Sequence, residues 1–332
     1  MELAAGLTVI VGANGLGKTN LVEAIGLLAT LKSFRGAPPD ALVRVGAERA
    51  IVRADVRVGD RPMQMEIELP RGGRARALVN RQKVTRTRDL LGSVNVTVFS
   101  PDDLEMVKGG PSGRRDLLDD LLVAVHPKNV AVVDEFERVL KQRNALLRQS
   151  GGRLDDASTL TLDVWDERVA ECGTRLAALR SKITSELVPR VTTAYQCIAG
   201  VDATVELAYA SCWSGALLDA LRSSRSDDVR RGVSTVGPHR DDLEIHLNHM
   251  TTRTHASQGE QRSMVLALRL AAHDVVTTAT GSVPVLILDD VLSELDDGRV
   301  GALLGSLPPG QTVITTASAV PTQVDPERVL EL

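Results

Sequence analysis

Aromatic side chains are scarce in this chain: three Phe, two Tyr and two Trp among 332 residues, about 2%. A core must then be filled mainly by Leu, Val, Ile and Ala, and stacking of bases on aromatic platforms is excluded as the main way of holding a single strand. Cysteine is equally thin. Cys172, Cys197 and Cys212 lie far apart without any C-x-x-C, which excludes a disulfide framework and a zinc site and implies a reducing compartment. His246, His249 and His255 lie close together, but without cysteines or a helical H-E-x-x-H they read as ordinary surface or core histidines. No apolar run approaches the ~20 residues needed to span a bilayer. The first ten residues lack the basic region of an export signal. The expectation is a soluble, cytoplasmic protein without a membrane partner. An excess of basic charge is also lacking: the formal net charge is −4, so any polyanion contact must come from a local patch.

What the chain does have is a globular composition, 43% hydrophobic and 25% charged, and a length that suits two domains. Its most informative stretch is Leu7 to Leu28, LTVIVGANGLGKTNLVEAIGLL. A β-branched apolar run leads into Gly12, Ala13, Asn14, Gly15, Leu16, Gly17, Lys18 and Thr19, which fit G-x-x-x-x-G-K-[ST]; a helical apolar pattern follows from Asn20. By residue frequencies alone the four fixed positions recur in roughly one chain in a hundred of this length. Glycines let such a loop turn its N–H groups inward around phosphate, the lysine reaches the β and γ oxygens, the threonine hydroxyl suits Mg²⁺, and the helix adds its positive end. Only six residues precede the strand, so a strand flanking it is expected to be missing from the N-terminal side.

Beyond this loop come Ser33-Phe34-Arg35-Gly36 and strand-like segments over Ala50 to Val58, Met63 to Leu69 and Arg74 to Val79. Arg71, Arg74, Arg76, Arg81, Lys83, Arg86 and Arg88 form a basic cluster with no acidic residue between its ends. It reads either as a solvated hairpin face or as a surface for nucleic-acid phosphates. Val94 to Phe99 is a further strand. From Gly113 the periodicity turns helical, with an interruption at His126-Pro127, then tracts up to Ser150, from Leu160 to Leu179 and from Ile183 to Ile198. These predict an antiparallel helical arm, or a plain helical packing domain, whose longest helix spans about 30 to 40 Å. Asp202 to Ala208 and Asp242 to Leu247 read as strands.

Ser257-Gln258-Gly259-Glu260-Gln261-Arg262 then opens a helix. By itself its S-x-x-E spacing is a capping box. The next element, Val285 to Asp290, is an apolar strand ending in two carboxylates, where a nucleotide-bound Mg²⁺ finds an acidic partner. Ser293-Glu294-Leu295-Asp296 follows, and a last strand is expected over Thr312 to Thr316.

In this order the motifs resemble the ATPase heads of the ABC superfamily. More narrowly, VGANGLGKTNLVEAI, VFSPDDLEMVKGGPSGRRDLLD, GPHRDD, SQGEQR and LDDVLSELD are similar to the RecF family, over nearly the whole chain. The resemblance implies an α/β ABC-type P-loop head, residues 1–110 and 231–332, split by a helical arm at 111–230. It implies ATP and Mg²⁺ as cofactors, held by Gly12 to Asn20 with Arg35 near the phosphates. Asp289 would take the metal and Asp290 the attacking water; a shorter carboxylate than the usual Glu implies slow hydrolysis. Ser257, Gly259 and Glu260 would cap the nucleotide of a second copy, with Asp296 at that interface, giving an ATP-dependent homodimer. The implied work is DNA repair and replication: binding of single-stranded and gapped DNA, loading of RecA, and partnership with RecO and RecR. Two positions depart from the ABC pattern, Ser100-Pro101-Asp102 in place of a glutamine and Thr315-Thr316 near the usual switch histidine. An ABC transporter ATPase subunit or another SMC-like ATPase is the alternative; the former would carry the switch histidine and lack the Arg71 to Arg88 cluster.

Overall fold

The computed structural model describes residues 1–59, 61–318, 320 and 324–332. The chain runs through β1 (Leu7–Val11), α1 (Lys18–Thr30), β2 (Arg49–Val58), β3 (Arg61–Pro70), β4 (Arg76–Val79), β5 (Gln82–Lys83) and β6 (Val96–Phe99). Helices α2 (Glu105–Lys108), α3 (Pro111–Val125), α4 (Val130–Gln149) and α5 (Asp156–Ala199) follow. Next are β7 (Val205–Ala210), α6 (Leu217–Arg231), β8 (Asp242–Leu247), β9 (Met250–Thr251) and α7 (Thr252–His255). The chain closes with α8 (Gln258–Thr280), β10 (Val285–Asp289), α9 (Asp297–Gly305), β11 (Thr312–Thr316) and β12 (Arg328–Glu331). The expected α/β class with a parallel sheet and a helical insert is what forms.

Two compact units result, Met1–Leu104 with Arg190–Ala203 and Ser257–Leu332, and Glu105–Pro189 with Thr204–Ala256. The first holds a parallel sheet in the order β12-β1-β11-β10-β6. Val9, Ile10, Ile287 and Val313 are wholly buried in it, the continuous apolar runs expected of strands covered on both faces. Helix α1 is shared between two cores. Val22 packs with Ile10, Ile287 and Val313, while Leu27 and Leu28 pack on Met65, Ile67 and Leu69 of the antiparallel β2-β3-β4-β5 sheet. This double burial fixes the helix that follows the glycine loop.

Three expectations are corrected. Strand β1 is flanked on both sides, because β12 pairs beside it with Thr8 opposite Arg328; the flank comes from the far end of the chain, and β11 is not the last strand. The tracts at Leu160 and Ile183 are one helix, α5, of 44 residues and about 66 Å at 1.5 Å per residue. Arg180, Ser181 and Lys182 between them contain no helix stop, and Pro189 removes only one backbone donor within so long a ladder. The domain boundaries expected at 110 and 230 lie elsewhere. Strand β7 pairs antiparallel with β8, Val205 opposite Leu247, so residues 231–256 go with the helical unit and not with the head.

Inside that second unit, Arg143 is wholly buried and bonds Asp166 and Asp228 at 2.7 Å each, joining α4, α5 and α6. Two of the family-like motifs also meet here. Arg114 makes a bidentate pair with Asp242 at 2.7 and 2.8 Å, and Arg115 donates to the Asp241 carbonyl at 2.8 Å.

Candidate functional site

The loop after β1 turns on Gly15 and Gly17, whose φ values of 88° and 97° lie in the left-handed region. A β-carbon at either would meet no atom within 4 Å, so glycine is required there by backbone conformation, and the space beside it is open. Helix α1 then begins on Gly17 with no side-chain cap and no acidic residue in its first turn. Its first N–H groups therefore await an acceptor, the arrangement that suits an anion. Lys18 is 6% exposed and its Nζ donates to the carbonyls of Gly12 at 2.7 Å and Ala13 at 3.1 Å.

A cavity of about 360 Å³ opens over this loop, lined among others by Asn14, Lys18, Thr19, Asn20, Asp289 and Asp290. Asp289 ends β10, which lies between β11 and β6 in the sheet. Its Oδ1 accepts from Thr19 Oγ1 at 3.2 Å and from Thr315 Oγ1 at 2.6 Å. Asp290 stands at φ 52°, a strained conformation that costs about 1–3 kcal/mol and that one buried core side chain offsets. Its Oδ1 is buried and has no hydrogen-bond partner among the described residues, so a group inside the cavity is needed to satisfy it.

Arg35 reaches the same cavity. Its loop is held by Glu23, 5% exposed on α1, which accepts from the Ser33 hydroxyl. Ser33 Oγ in turn accepts from the backbone N of Arg35 and of Ala37, at 3.2 Å each. The residues of the missing glutamine, Ser100, Pro101 and Asp102, also line the cavity. Asp103 locks that corner, taking Ser100 N at 2.9 Å and Arg269 Nη2 at 2.5 Å. Phe34, Ser100, Pro101 and Asp102 are the lining residues to which the sequence patterns assigned no role. Phe34 adjoins Arg35 in the SFRG turn, and Ser100 to Asp102 follow β6 of the parallel sheet; such a strand end is the signal that could have marked them.

These residues fit a magnesium nucleotide triphosphate. An uncapped helix, a glycine loop and Lys18 suit phosphate oxygens, and Thr19 with Asp289 offers the two oxygens that Mg²⁺ takes when phosphates and water supply the rest. Among the described residues no group of three or more His, Cys, Asp or Glu side chains could hold a metal by itself.

Ser257, Gly259 and Glu260 are placed apart from that lining, at the start of α8. Both halves of the capping box are present: Glu260 N donates to Ser257 Oγ at 3.3 Å and Ser257 N to Glu260 Oε2 at 2.7 Å. Ser257 is exposed, so its own hydroxyl proton remains able to donate outward while the cap holds. Asp296 caps α9, accepting from Arg299 N at 2.9 Å.

The basic cluster lies around the antiparallel sheet. Arg74, Arg81, Lys83, Arg86 and Arg88 are exposed, with Arg81 in the tight turn between β4 and β5 at φ 66°. Arg71 donates to the carbonyls of Val43 at 3.4 Å and Arg44 at 3.3 Å. Arg76 stands 3.8 Å from Glu68, which also pairs with Arg49 at 2.8 Å. The sheet thus sets β3 carboxylates beside part of a cluster that has none in sequence.

A profile described as the RecF/RecN/SMC N terminal domain matches residues 1–320. The chain is 44% identical over 334 residues to the DNA replication and repair protein RecF of Streptomyces avermitilis, covering 96% of this chain and 89% of that protein. To the protein of the same description from Frankia alni it is 42% identical over 336 residues, with the same coverage. It superposes with a TM-score of 0.90 and 31% identity on the recombination mediator protein RecF solved with ATP in the RecFOR pathway, covering 100% of this chain and 90% of that one. An SMC head bound to the C-winged helix domain of ScpA has a TM-score of 0.54 at 15% identity, covering 96% and 84%, a likeness of fold alone. No helix among the described residues is long and apolar enough to cross a membrane.

Proposed function

The chain belongs to the RecF family of DNA replication and repair proteins, and from this premise we propose that it is an ATP-gated DNA-binding protein that works as a nucleotide-dependent homodimer. The observation that carries the reading is the convergence of Lys18, Thr19, Arg35, Asp289 and the unsatisfied Asp290 on one cavity. Bound MgATP would supply a phosphoryl group for transfer to water. Lys18 and the start of α1 neutralise phosphate charge, Thr19 and Asp289 hold the metal, Asp290 orients the water, and Arg35 adds positive charge at the rim. Ser257 and Gly259 then cap the nucleotide of the second subunit, and hydrolysis, slowed by the short Asp290, releases the pair. The surface for DNA phosphates is the edge that carries Arg71, Arg74, Arg76, Arg81, Lys83, Arg86 and Arg88. Single-stranded and gapped DNA are the substrates, and RecO, RecR and RecA the partners. The RecFOR pathway of the solved relative supports the first two.

The test mixes two inactive homodimers, Lys18→Ala and Ser257→Arg. A heterodimer contains one site with both Lys18 and Ser257 intact and one with both lesions. The expected result is recovered ATP hydrolysis or, where both sites must fire together, a nucleotide-dependent gain in dimer mass over either variant alone. A mixture equal to the average of the two in both assays would falsify the composite site.

A further inference from the structure

Gly259, the second residue of α8, has the end of the Arg299 side chain where a side chain of its own would go. A β-carbon there would lie 2.9 Å from both terminal nitrogens of Arg299 and 3.1 Å from the carbon between them, so a methyl group would displace the end of that flexible side chain. The neighbour is the Arg299 guanidinium. The same guanidinium donates from Nη1 to Asp296 Oδ2 at 2.6 Å, while the Arg299 backbone N donates to Asp296 Oδ1 at 2.9 Å. All three residues belong to the head unit. One arginine therefore touches the glycine of the SQGE segment and grips the aspartate of the SELD segment.

This contact is poorly suited to holding the fold together. Side-chain exposure is 32% for Arg299 and 58% for Asp296, and so exposed an ion pair contributes little to stability. What it fixes is distance and angle. A planar guanidinium can reach a backbone and a carboxylate at once, with one nitrogen donating to Asp296, which a single ammonium point charge does less well. Tyr195, buried near the end of α5, borders the cluster: burial, then the Glu260 carboxylate, push its phenol up to about 12, against the pull of Arg299.

We propose that Arg299 is a positioning residue that makes Ser257-Gly259 and Asp296 one rigid element, so that both meet a second subunit's nucleotide in a single geometry. This rests on the two-subunit site proposed above. Sequence periodicity could not show it, because Arg299 lies in no motif and its partner glycine is on a different helix.

The test is a double-mutant cycle on Gly259→Ala and Arg299→Ala, read by steady-state ATP hydrolysis and by dimer mass with ATP, with Arg299→Lys alongside. Arg299→Ala should lower kcat about tenfold with KM for ATP little changed, since Lys18, Thr19 and Asp289 are untouched, and should leave the melting temperature in place. Arg299→Lys should recover only part of the loss. Gly259→Ala should push the guanidinium aside, lowering kcat where Arg299 is present and costing nothing further in the Arg299→Ala background. A strictly additive cycle, or a normal kcat for Arg299→Ala, overturns the role of Arg299. Ser257→Arg run in parallel separates the two ideas: full dimerisation and turnover in that variant overturns the two-subunit reading, and the functional role of Arg299 with it. An inactive Ser257→Arg beside an additive cycle overturns Arg299 alone.

Discussion

The Thr315 hydroxyl donates to Asp289 Oδ1 at 2.6 Å and accepts from Asp290 N at 3.0 Å. One wholly buried side chain thus orients both carboxylate residues at the end of β10, from the neighbouring strand β11. It stands in the region where the ABC pattern has its switch histidine, and supplies one proton and one lone pair that do not titrate near neutrality.

Thr315→Val keeps the shape and removes both bonds. It should cost about 1–3 kcal/mol of stability, the penalty for leaving buried polar groups unpaired, and weaken ATP binding; Thr315→Ser should restore both. Urea unfolding and nucleotide titration check this, and an unaltered Thr315→Val would deny the hydroxyl any part in holding the site.

The two carboxylates should separate by function. Asp290→Asn is expected to form ATP-dependent dimers that outlive the wild type, whereas Asp289→Asn should lower affinity for MgATP itself. Dimer lifetime by stopped light scattering and affinity by calorimetry distinguish them. Asp290→Asn dimers that decay at the normal rate would contradict this division.

Among the basic residues the sheet predicts unequal contributions. Arg74→Ala and Arg81→Ala should each weaken DNA binding across sequences and reduce the salt slope by about 1. Arg76→Ala should do less, because Arg76 already faces Glu68 at 3.8 Å. A slope unchanged by all three returns the cluster to a solvated face.

A buried histidine and a half-buried one predict an acid limit. Burial holds His273 and His239 down to about 4, with Arg240 and Arg115 adding to the effect on His239. The unfolded chain protonates near 6.5 and the folded chain near 4. The stability that comes from keeping these rings neutral is therefore complete above pH 6.5 and is lost as pH falls from 6.5 through 4. Melting temperature should be level from pH 8 to 7 and decline below 6.5, less steeply in His273→Leu; a level profile down to pH 4.5 would refute it.

Much of the candidate site was legible because its parts are local. A glycine loop, its lysine and its helix are contiguous, and φ values near 90° at Gly15 and Gly17 are a property of those positions. The acidic strand end was legible for the same reason. The family match followed from motif order, which requires no coordinates.

The chain by itself therefore determined the class of fold, the phosphate loop, the two carboxylates and the capping box, each written in neighbouring residues whose spacing matches one backbone geometry. Only the tertiary structure decided that β12 flanks β1 and that β7 and β8 pair, since strand pairing joins segments that carry no mark of one another. It also decided that one 44-residue helix replaces two, that Glu68 stands beside Arg76, and that Arg299 lies on Gly259. These are contacts between residues far apart in the chain, set by which faces the core buries and not by any local preference.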